Sequence, residues 1–170
     1  MTTAAPVIFG FDGSGASQRA VRDAAPLLGH RPALVVTVWE PGRLFEAAPQ
    51  PAMGLEMGME LPPTMLDLRT TIEADEEVYE AATRTARHGA HLARESGFAD
   101  ATGLAVADDL TVAETLIRVA RERHSPGIVV GAHGHRKISE LLLGSTSDTL
   151  VHKADRPVVV VRAHSKDQAP

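Results

Sequence analysis

Cysteine is absent from the sequence and aromatic residues are scarce, and both shortages limit what the protein can be. Without cysteine the chain has no disulfide, no thiolate metal ligand and no thiol nucleophile, and it gives no sign of an oxidising compartment. Aromatic residues are 4% of the 170 residues, so Val, Leu, Ile and Ala must build the core. That composition is typical of buried parallel strands covered by helices, and it favours an α/β fold.

Long basic runs and long apolar runs are missing as well. Lys and Arg number 17 against 22 Asp and Glu, a formal net charge of -5, so the chain lacks the positive footprint that a nucleic-acid backbone requires. No stretch reaches the ~18 apolar residues of a membrane span, and residues 1–6 have neither the basic region nor the apolar segment of a leader. We therefore expect a cytoplasmic protein that has neither nucleic acid nor membrane as a partner.

What the sequence does contain is a regular alternation of short apolar runs with helical patterns. The length suits one compact domain, and 44% apolar with 23% charged residues is ordinary globular usage. Strands are predicted over residues 7–12, 33–39, 101–106, 128–130 and 157–161, with helices over 16–28, about 66–95, from 111 and over 145–152. This order predicts a doubly wound parallel sheet of five strands with helices on both faces and right-handed crossovers.

Two of the predicted helices carry specific local signals. Pro26 lacks an N–H and its ring crowds the carbonyl of Arg22, so the first helix should kink in its last turn or stop near Ala25. Thr111 and Glu114 form a Thr-x-x-Glu capping box, in which each side chain satisfies a free N–H of the helix start.

Residues 40–65 interrupt the alternation and are predicted to form a long loop. They hold five prolines and four methionines, namely Pro41, Pro49, Pro51, Pro62, Pro63, Met53, Met57, Met59 and Met65. This composition fits a lid or binding loop and a disordered insertion equally well. Residues 163–170 are predicted to be a polar tail.

The loops after the first and fourth strands are the places where a ligand is expected, because a doubly wound sheet binds ligands where its winding reverses. The first loop is Asp12-Gly13-Ser14. The second begins Gly131-Ala132-His133-Gly134, and nine residues later Gly144-Ser145-Thr146-Ser147 opens a helix. Glycine lets the backbone approach a ligand, and the helix start offers N–H groups, hydroxyls and a positive dipole end. Together these features predict a phosphate site.

The spacing Gly-x-x-Gly-x9-Gly-Ser, from Gly131 to Ser145, resembles the signature of the ATP-binding branch of the universal stress protein family. The resemblance spans nearly the whole chain, since the opening strand ending in Asp-Gly-Ser and the closing strand 157–161 also match. It implies a single domain over residues 1–170 with a Rossmann-like fold, of the adenine nucleotide alpha hydrolase type, and strand order 3-2-1-4-5. It also implies ATP, with Mg²⁺, between the first and fourth strands, and a homodimer through the last strand.

The resemblance further implies roles for individual residues. Asp12 accepts a ribose hydroxyl and the backbone at Val38 holds the adenosine end. Ser145 and Thr146 donate to the phosphates, whose charge Mg²⁺ helps to neutralise. The residues predicted to bind the nucleotide are Asp12, Gly13, Ser14, Val38, Gly131, His133, Gly134, His135, Gly144, Ser145, Thr146 and Ser147.

Some positions depart from the family pattern. Asp108 and Asp109 stand where relatives often carry a Gly-x-Pro or Gly-x-Ala turn, and two carboxylates there disfavour a nearby phosphate. The segment 125–127 stands where relatives usually have an Ala-Asp pair. These departures concern the entrance of the predicted site and leave its glycine frame intact.

Rival chemistries have weaker support. Gly13 and Gly15 begin a dinucleotide-type motif, but its third glycine is missing and Asp12 would aim a carboxylate at the pyrophosphate. A lysine-bearing P-loop is absent, and the histidines do not have the spacing of a recognised metal site. No Gly-x-Ser-x-Gly elbow occurs and no base to orient water stands out, so no catalytic residue is assigned.

The function predicted from sequence is that of an ATP-binding stress-response switch rather than an enzyme. A slow ATPase and a nucleotide-free interaction module remain alternatives, and a cyclic-AMP binder is a weaker one.

Overall fold

The chain alternates strands and helices in the predicted order. A computed structural model describes residues 4–28, 31–41, 65–108, 111–133 and 143–162, with only the backbone of 65–72. The elements are β1 Val7–Gly10, α1 Gly15–Leu28, β2 Ala33–Trp39, α2 Met65–Glu95, β3 Ala101–Ala107, α3 Val112–Glu122, β4 Ile128–Gly131, α4 Ser145–Lys153 and β5 Val158–Val161. Most of the predicted loop over 40–65 and the predicted tail lie outside the described residues.

The five strands form one parallel sheet in the order β3-β2-β1-β4-β5, which confirms the predicted fold class and strand order. β1 lies at the centre, pairing with β2 on one side and β4 on the other. The chain winds outward from β1 through β2 to β3, then returns across the sheet to β4. A crevice therefore opens between the carboxyl ends of β1 and β4.

Two apolar clusters form the core, one on each face of the sheet, because alternate residues of a buried strand point to opposite faces. Val7, Phe9 and Val35 pack with α1 and α2 on one face, where the rings of Phe9 and Phe98 form a T-shaped pair with centroids 5.2 Å apart. Ile8 and its neighbours pack with α3 and α4 on the other. The crevice thus has a different pair of helices on each side.

The first helix does not stop near Ala25, which was one of the two outcomes that Pro26 predicted, but continues through Pro26 to Leu28. Pro26 lies in the last turn of the helix, so its missing N–H removes one hydrogen bond, the one to the Arg22 carbonyl. Ala25 and Leu28 also pack against the core cluster under α1. Partial burial of these apolar side chains stabilises the final turn, and local sequence rules do not take such tertiary contacts into account.

The predicted capping box at the start of α3 is formed in half. The Thr111 hydroxyl accepts the Glu114 N–H at 3.2 Å, as a cap should. The Glu114 carboxylate accepts the Thr111 hydroxyl at 2.9 Å and the Lys153 ammonium at 3.0 Å. Lys153, with help from Thr111, lowers the pKa of Glu114. This pair therefore ties the end of α4 to the start of α3.

A second charged group ties the turn before β5 to the end of α3. The Arg156 guanidinium is mostly buried and donates to the carbonyls of Ala120, at 2.6 Å, and Ser125, at 3.0 Å. The Asp155 carboxylate accepts from Arg156 and from Arg121, each at 2.9 Å. Arg156 first, and then Arg121, hold the pKa of Asp155 well below its usual value.

This arrangement predicts a pH-dependent contribution to stability. Because the pKa of Asp155 is lower in the folded state, the carboxylate stabilises the fold above its unfolded pKa of about 3.9. That contribution is lost as pH falls below this value towards the folded pKa. We expect Asp155→Asn to lower the Tm slightly at pH 7 and by progressively less between pH 4 and pH 2. Thermal melts across this range, with exposed Asp100→Asn as control, test it; a difference independent of pH contradicts it.

Candidate functional site

A cavity of about 190 Å³ lies at the carboxyl ends of β1, β2 and β4, on the face covered by α3 and α4. This is the crevice at which the winding reverses. Its lining residues are Gly10, Phe11, Asp12, Ser17, Val36, Val38, Val112, Leu116, Val130, Gly131, His133 and Thr146.

The cavity walls are aliphatic. Val36 and Val38 come from β2, Val112 and Leu116 from α3, and Val130 from β4. Such a slot suits a flat apolar group, and its few polar groups give orientation. At about 190 Å³ it is smaller than the ~300–1,000 Å³ of a whole drug-sized ligand. It therefore has room for a base with part of a sugar, and further groups must extend beyond it.

Asp12 is held at the exposed mouth of the cavity by its own loop. Its Oδ1 accepts the Ser14 N–H at 3.0 Å, and Gly13 adopts a positive φ of 79° that favours glycine. The Ser14 hydroxyl accepts the Ser17 N–H at 3.2 Å in the first turn of α1. Gly13 and Ser14 do not line the cavity. Their role is to form the turn that positions Asp12.

Val38 presents backbone polar groups to the same cavity. Alternate residues of a strand direct their N–H and C=O to the same neighbour. The Val36 carbonyl accepts the Phe11 N–H at 2.9 Å, so Val38 also faces the β1 side. Pairing of β1 with β2 ends at Gly10 opposite Val36, and the Phe11 carbonyl accepts the Thr37 hydroxyl at 2.8 Å. The backbone N–H and C=O of Val38 therefore point towards the cavity, beyond the last residue of β1 that pairs with β2.

His133 carries a buried polar atom that a ligand would satisfy. It follows β4 and lines the cavity, and its Nδ1 is buried with no hydrogen-bond partner among the described residues. A buried polar atom without a partner costs about 1–3 kcal/mol. A ligand with a hydroxyl or phosphate beside Nδ1 would remove that cost, which fits a nucleotide. Gly134 and His135 lie outside the described residues.

Gly131 has a packing role that its sequence motif did not reveal. It lines the cavity, but a Cβ placed on it would lie 2.8 Å from the backbone carbon and oxygen of Ala16. The first turn of α1 therefore packs directly on the end of β4. Glycine is required here for this contact between two elements, whether or not a ligand also approaches.

Residues at the start of α4 have two different roles. Some attach the helix to the end of β4, and others line the cavities. The Gly144 N–H donates to the Ala132 carbonyl at 2.7 Å, and the buried Ser147 hydroxyl lies 2.9 Å from the carbonyls of Ala132 and Gly144. These contacts fasten the helix to the end of β4. Thr146 lines the cavity, and Ser145 lines a neighbouring one. Gly144 at the N-cap position makes no side-chain cap, so among the described residues no N-cap side chain occupies the free N–H groups of the first turn of α4.

The neighbouring cavity, of about 270 Å³, is lined mostly by polar residues and carries two carboxylates. Glu40 and Asp108 line it, and it shares Val112 and Thr146 with the first cavity. Asp108 is tied down, because its Oδ1 accepts the Thr115 hydroxyl at 3.1 Å and its N–H donates to the Trp39 carbonyl at 2.7 Å. Two carboxylates make this cavity unfavourable for phosphate. Sequence motifs did not mark Glu40, Thr111 or Thr149 as lining residues.

Neither a metal cluster nor a membrane span is found in the described part of the chain. Groups of three or more His, Asp or Glu side chains that would hold a metal are absent there. Helices of the described residues are not long and apolar enough to cross a bilayer.

Comparison with known proteins identifies related sequences. The model of the universal stress protein family matches residues 4–162. The chain is 33% identical over 49 residues to the universal stress protein MJ0577 of Methanocaldococcus jannaschii, which is 29% of this chain and 30% of that protein. It is 37% identical over 98 residues to a universal stress protein of Mycolicibacterium smegmatis, covering 54% and 32%. These matches span about a third of each relative's length.

Solved structures share the fold over nearly the whole chain. The structure of MJ0577 has a TM-score of 0.70 at 17% identity, covering 97% of this chain and 100% of that one. A universal stress protein of Archaeoglobus fulgidus in complex with dAMP has a TM-score of 0.53 at 19% identity, covering 95% and 100%. Another universal stress protein, in complex with cAMP, has a TM-score of 0.58 at 21% identity, covering 95% and 98%.

Proposed function

Because this chain belongs to the universal stress protein family, we propose that it binds ATP between the carboxyl ends of β1 and β4 and acts as a nucleotide-dependent switch in the stress response. The observation that carries the proposal is the aliphatic cavity with the Asp12 carboxylate at its mouth and, inside it, the His133 Nδ1, which has no hydrogen-bond partner among the described residues. The dAMP and cAMP bound by two related proteins support adenine nucleotides as the ligand class.

The cavity would hold the adenosine part. The adenine ring would lie between the aliphatic side chains of β2 and α3, with the Val38 backbone as hydrogen-bonding partner for its edge. The Asp12 carboxylate would accept a ribose hydroxyl, a charge-assisted hydrogen bond that is stronger than a neutral one. His133 Nδ1 would gain a partner from the ribose or the first phosphate.

The phosphates would extend towards the start of α4. The uncapped N–H groups there, the hydroxyls of Ser145 and Thr146 and the positive end of the helix dipole all favour an anion. Asp12, Glu40 and Asp108 surround this region with negative charge, so phosphate binding would require a cation. Mg²⁺ would be held chiefly by the phosphates, because it usually takes few protein ligands beside them.

Nucleotide occupancy would act as the switch by joining the two loops. Asp12 belongs to the loop after β1, whereas His133 and the start of α4 belong to the connection after β4. A ligand that contacts both favours the arrangement in which they lie close together, and it shifts the equilibrium by its difference in affinity for the two arrangements.

We also propose a single domain over residues 1–170 that pairs as a homodimer through β5. β5 is an edge strand of half-buried valines, Val158–Val161. An apolar edge exposes unpaired backbone groups that invite a second strand, and pairing with another copy would cover them. Light scattering is expected to give twice the mass of the chain, and a monomeric mass at micromolar concentration contradicts this part of the proposal.

The direct test is a calorimetric titration of the nucleotide-stripped protein with ATP and Mg²⁺. We expect saturable binding with one site per chain, weaker binding when Mg²⁺ is chelated, and no binding of NAD. Trp39 follows Val38 and is the sole tryptophan of the chain, so its fluorescence should change in parallel. Absence of ATP binding would contradict the proposal and favour a nucleotide-free module.

Two alternative functions, a cyclic-nucleotide binder and a slow ATPase, can be tested on the same nucleotide-stripped protein. Tighter binding of cyclic AMP than of ATP in competition would identify a cyclic-nucleotide binder. Steady phosphate release that Asp12→Ala abolishes would identify a slow ATPase.

A further inference from the structure

Arg162 is the residue after β5. It therefore lies at the carboxyl ends of the strands, where the proposed nucleotide site is. We propose that Arg162 binds the nucleotide phosphates and makes the site prefer phosphorylated adenine nucleotides over adenosine. This inference rests on the proposed function and adds to it the residue that recognises the phosphate charge. The glycine signature does not contain Arg162, and neither of the two cavities has it in its lining.

Strand register places Arg162 beside Ala132, at the end of β4. β4 and β5 pair in parallel with Gly131 opposite Val161. The ladder continues one step further, because the Ala132 N–H donates to the Val161 carbonyl at 2.8 Å. Arg162 is therefore the next position opposite Ala132, one strand spacing of about 4.8 Å away.

The same register places Arg162 on the face of the sheet that holds the cavity. Opposite residues of parallel strands project to the same face, and successive residues alternate. Val158 and Val160 pack in the cluster under α3 and α4, whereas Val159 and Val161 pack on the α1 side. Arg162 follows Val161, so by this alternation its side chain projects to the α3 and α4 side.

The start of α4 lies on that side and next to the same residue. The Ala132 carbonyl accepts the Gly144 N–H at 2.7 Å and the Ser147 hydroxyl at 2.9 Å. Ala132 therefore contacts the first turn of α4 through its carbonyl and has Arg162 as its neighbour on β5. An arginine side chain, long and flexible, spans one strand spacing and reaches a phosphate seated on those N–H groups.

Charge balance favours a cationic side chain at this place in addition to the Mg²⁺ held by the phosphates. The described linings of the two cavities contain the carboxylates of Asp12, Glu40 and Asp108 but no Lys or Arg. A polyphosphate brought among carboxylates is repelled unless cations compensate. Arg162 is exposed. Its guanidinium is permanently charged and can donate two parallel hydrogen bonds to two oxygens of one phosphate.

The test compares ATP with adenosine in Arg162→Gln. Loss of a charge-assisted contact is expected to weaken ATP binding about 10-fold. Adenosine affinity should stay within about twofold, because adenosine has no phosphate to recognise. The dependence of ATP affinity on salt should also decrease. Arg162→Lys keeps the charge and is expected to lose less affinity than Arg162→Gln.

Arg31→Gln is the matched control, since it removes the same charge from an exposed arginine at the opposite edge, among the amino ends of β1, β4 and β5. ATP affinity of this variant should stay within about twofold of the wild type. Equal ATP affinity of Arg162→Gln and Arg31→Gln, in a wild type that binds ATP, would overturn the role of Arg162 alone. A wild type that binds neither ATP nor adenosine would overturn the proposed function with it.

Discussion

Asp12→Ala is expected to weaken binding of ATP and of adenosine alike by about 10- to 100-fold, because a hydrogen bond to a charged acceptor contributes about 1.5–3 kcal/mol. The lost contact is to the ribose, which both ligands share. Calorimetry with both ligands measures it. This pattern differs from that of Arg162→Gln, which should affect ATP only, so the two variants separate sugar recognition from phosphate recognition.

Asp12→Asn is the control for the turn that Asp12 forms. The Asp12 carboxylate accepts the Ser14 N–H at 3.0 Å, and the amide oxygen of asparagine keeps that contact while the charge is removed. We expect the Asn variant to bind with intermediate affinity. If Asp12→Ala binds both ligands as the wild type does, the ribose is not at Asp12 and the proposed orientation of the nucleotide is wrong.

Gly103→Ala is expected to have the largest effect on stability. A Cβ on Gly103 would lie 2.5 Å from the backbone carbon and oxygen of Ala86 in α2. Backbone atoms cannot turn aside as a side chain does, so α2 or β3 must shift. We expect a loss of about 1–3 kcal/mol, as for overpacked cores. That corresponds to a decrease in Tm of about 2–12 °C for a domain of this size.

Gly15→Ala is the matched substitution. The nearest atom to its added Cβ is Arg19 Nη1 at 3.5 Å, the flexible end of an exposed side chain. Gly15 also begins α1, where alanine is favoured over glycine by up to about 1 kcal/mol. Its Tm should be unchanged or slightly higher. If Gly103→Ala has the same Tm as the wild type, α2 can shift away from the added Cβ without loss of stability, and the prediction is wrong.

Local patterns predicted the order of the elements well. β2 has the predicted bounds of 33–39, and α2 ends before Gly97, whose φ of 110° requires glycine or strain. Periodicity and chain-reversing residues act over a few positions, so they are readable without the fold. The general rule for doubly wound sheets then indicated the crevice between β1 and β4, where Asp12, Val38 and Thr146 line one cavity.

Local patterns failed where a distant element decides the outcome. Pro26 predicted a kink or a helix end near Ala25, yet the helix continues to Leu28, where Ala25 and Leu28 pack partly buried against the core. The capping box predicted Thr111 as the partner of Glu114, whereas the Glu114 carboxylate also accepts the Lys153 ammonium of α4. In both cases the competing contact comes from outside the helix concerned.

The sequence by itself therefore determined the alternation of strands and helices, the doubly wound class and the family, because each depends on short-range pattern and motif spacing. Only the tertiary structure decided which side chains share a cavity, why Gly103 and Gly131 tolerate no Cβ, and that Arg162 stands beside Ala132. Those properties depend on strand register and on the approach of elements remote in sequence. No residue's own neighbours along the chain contain that information.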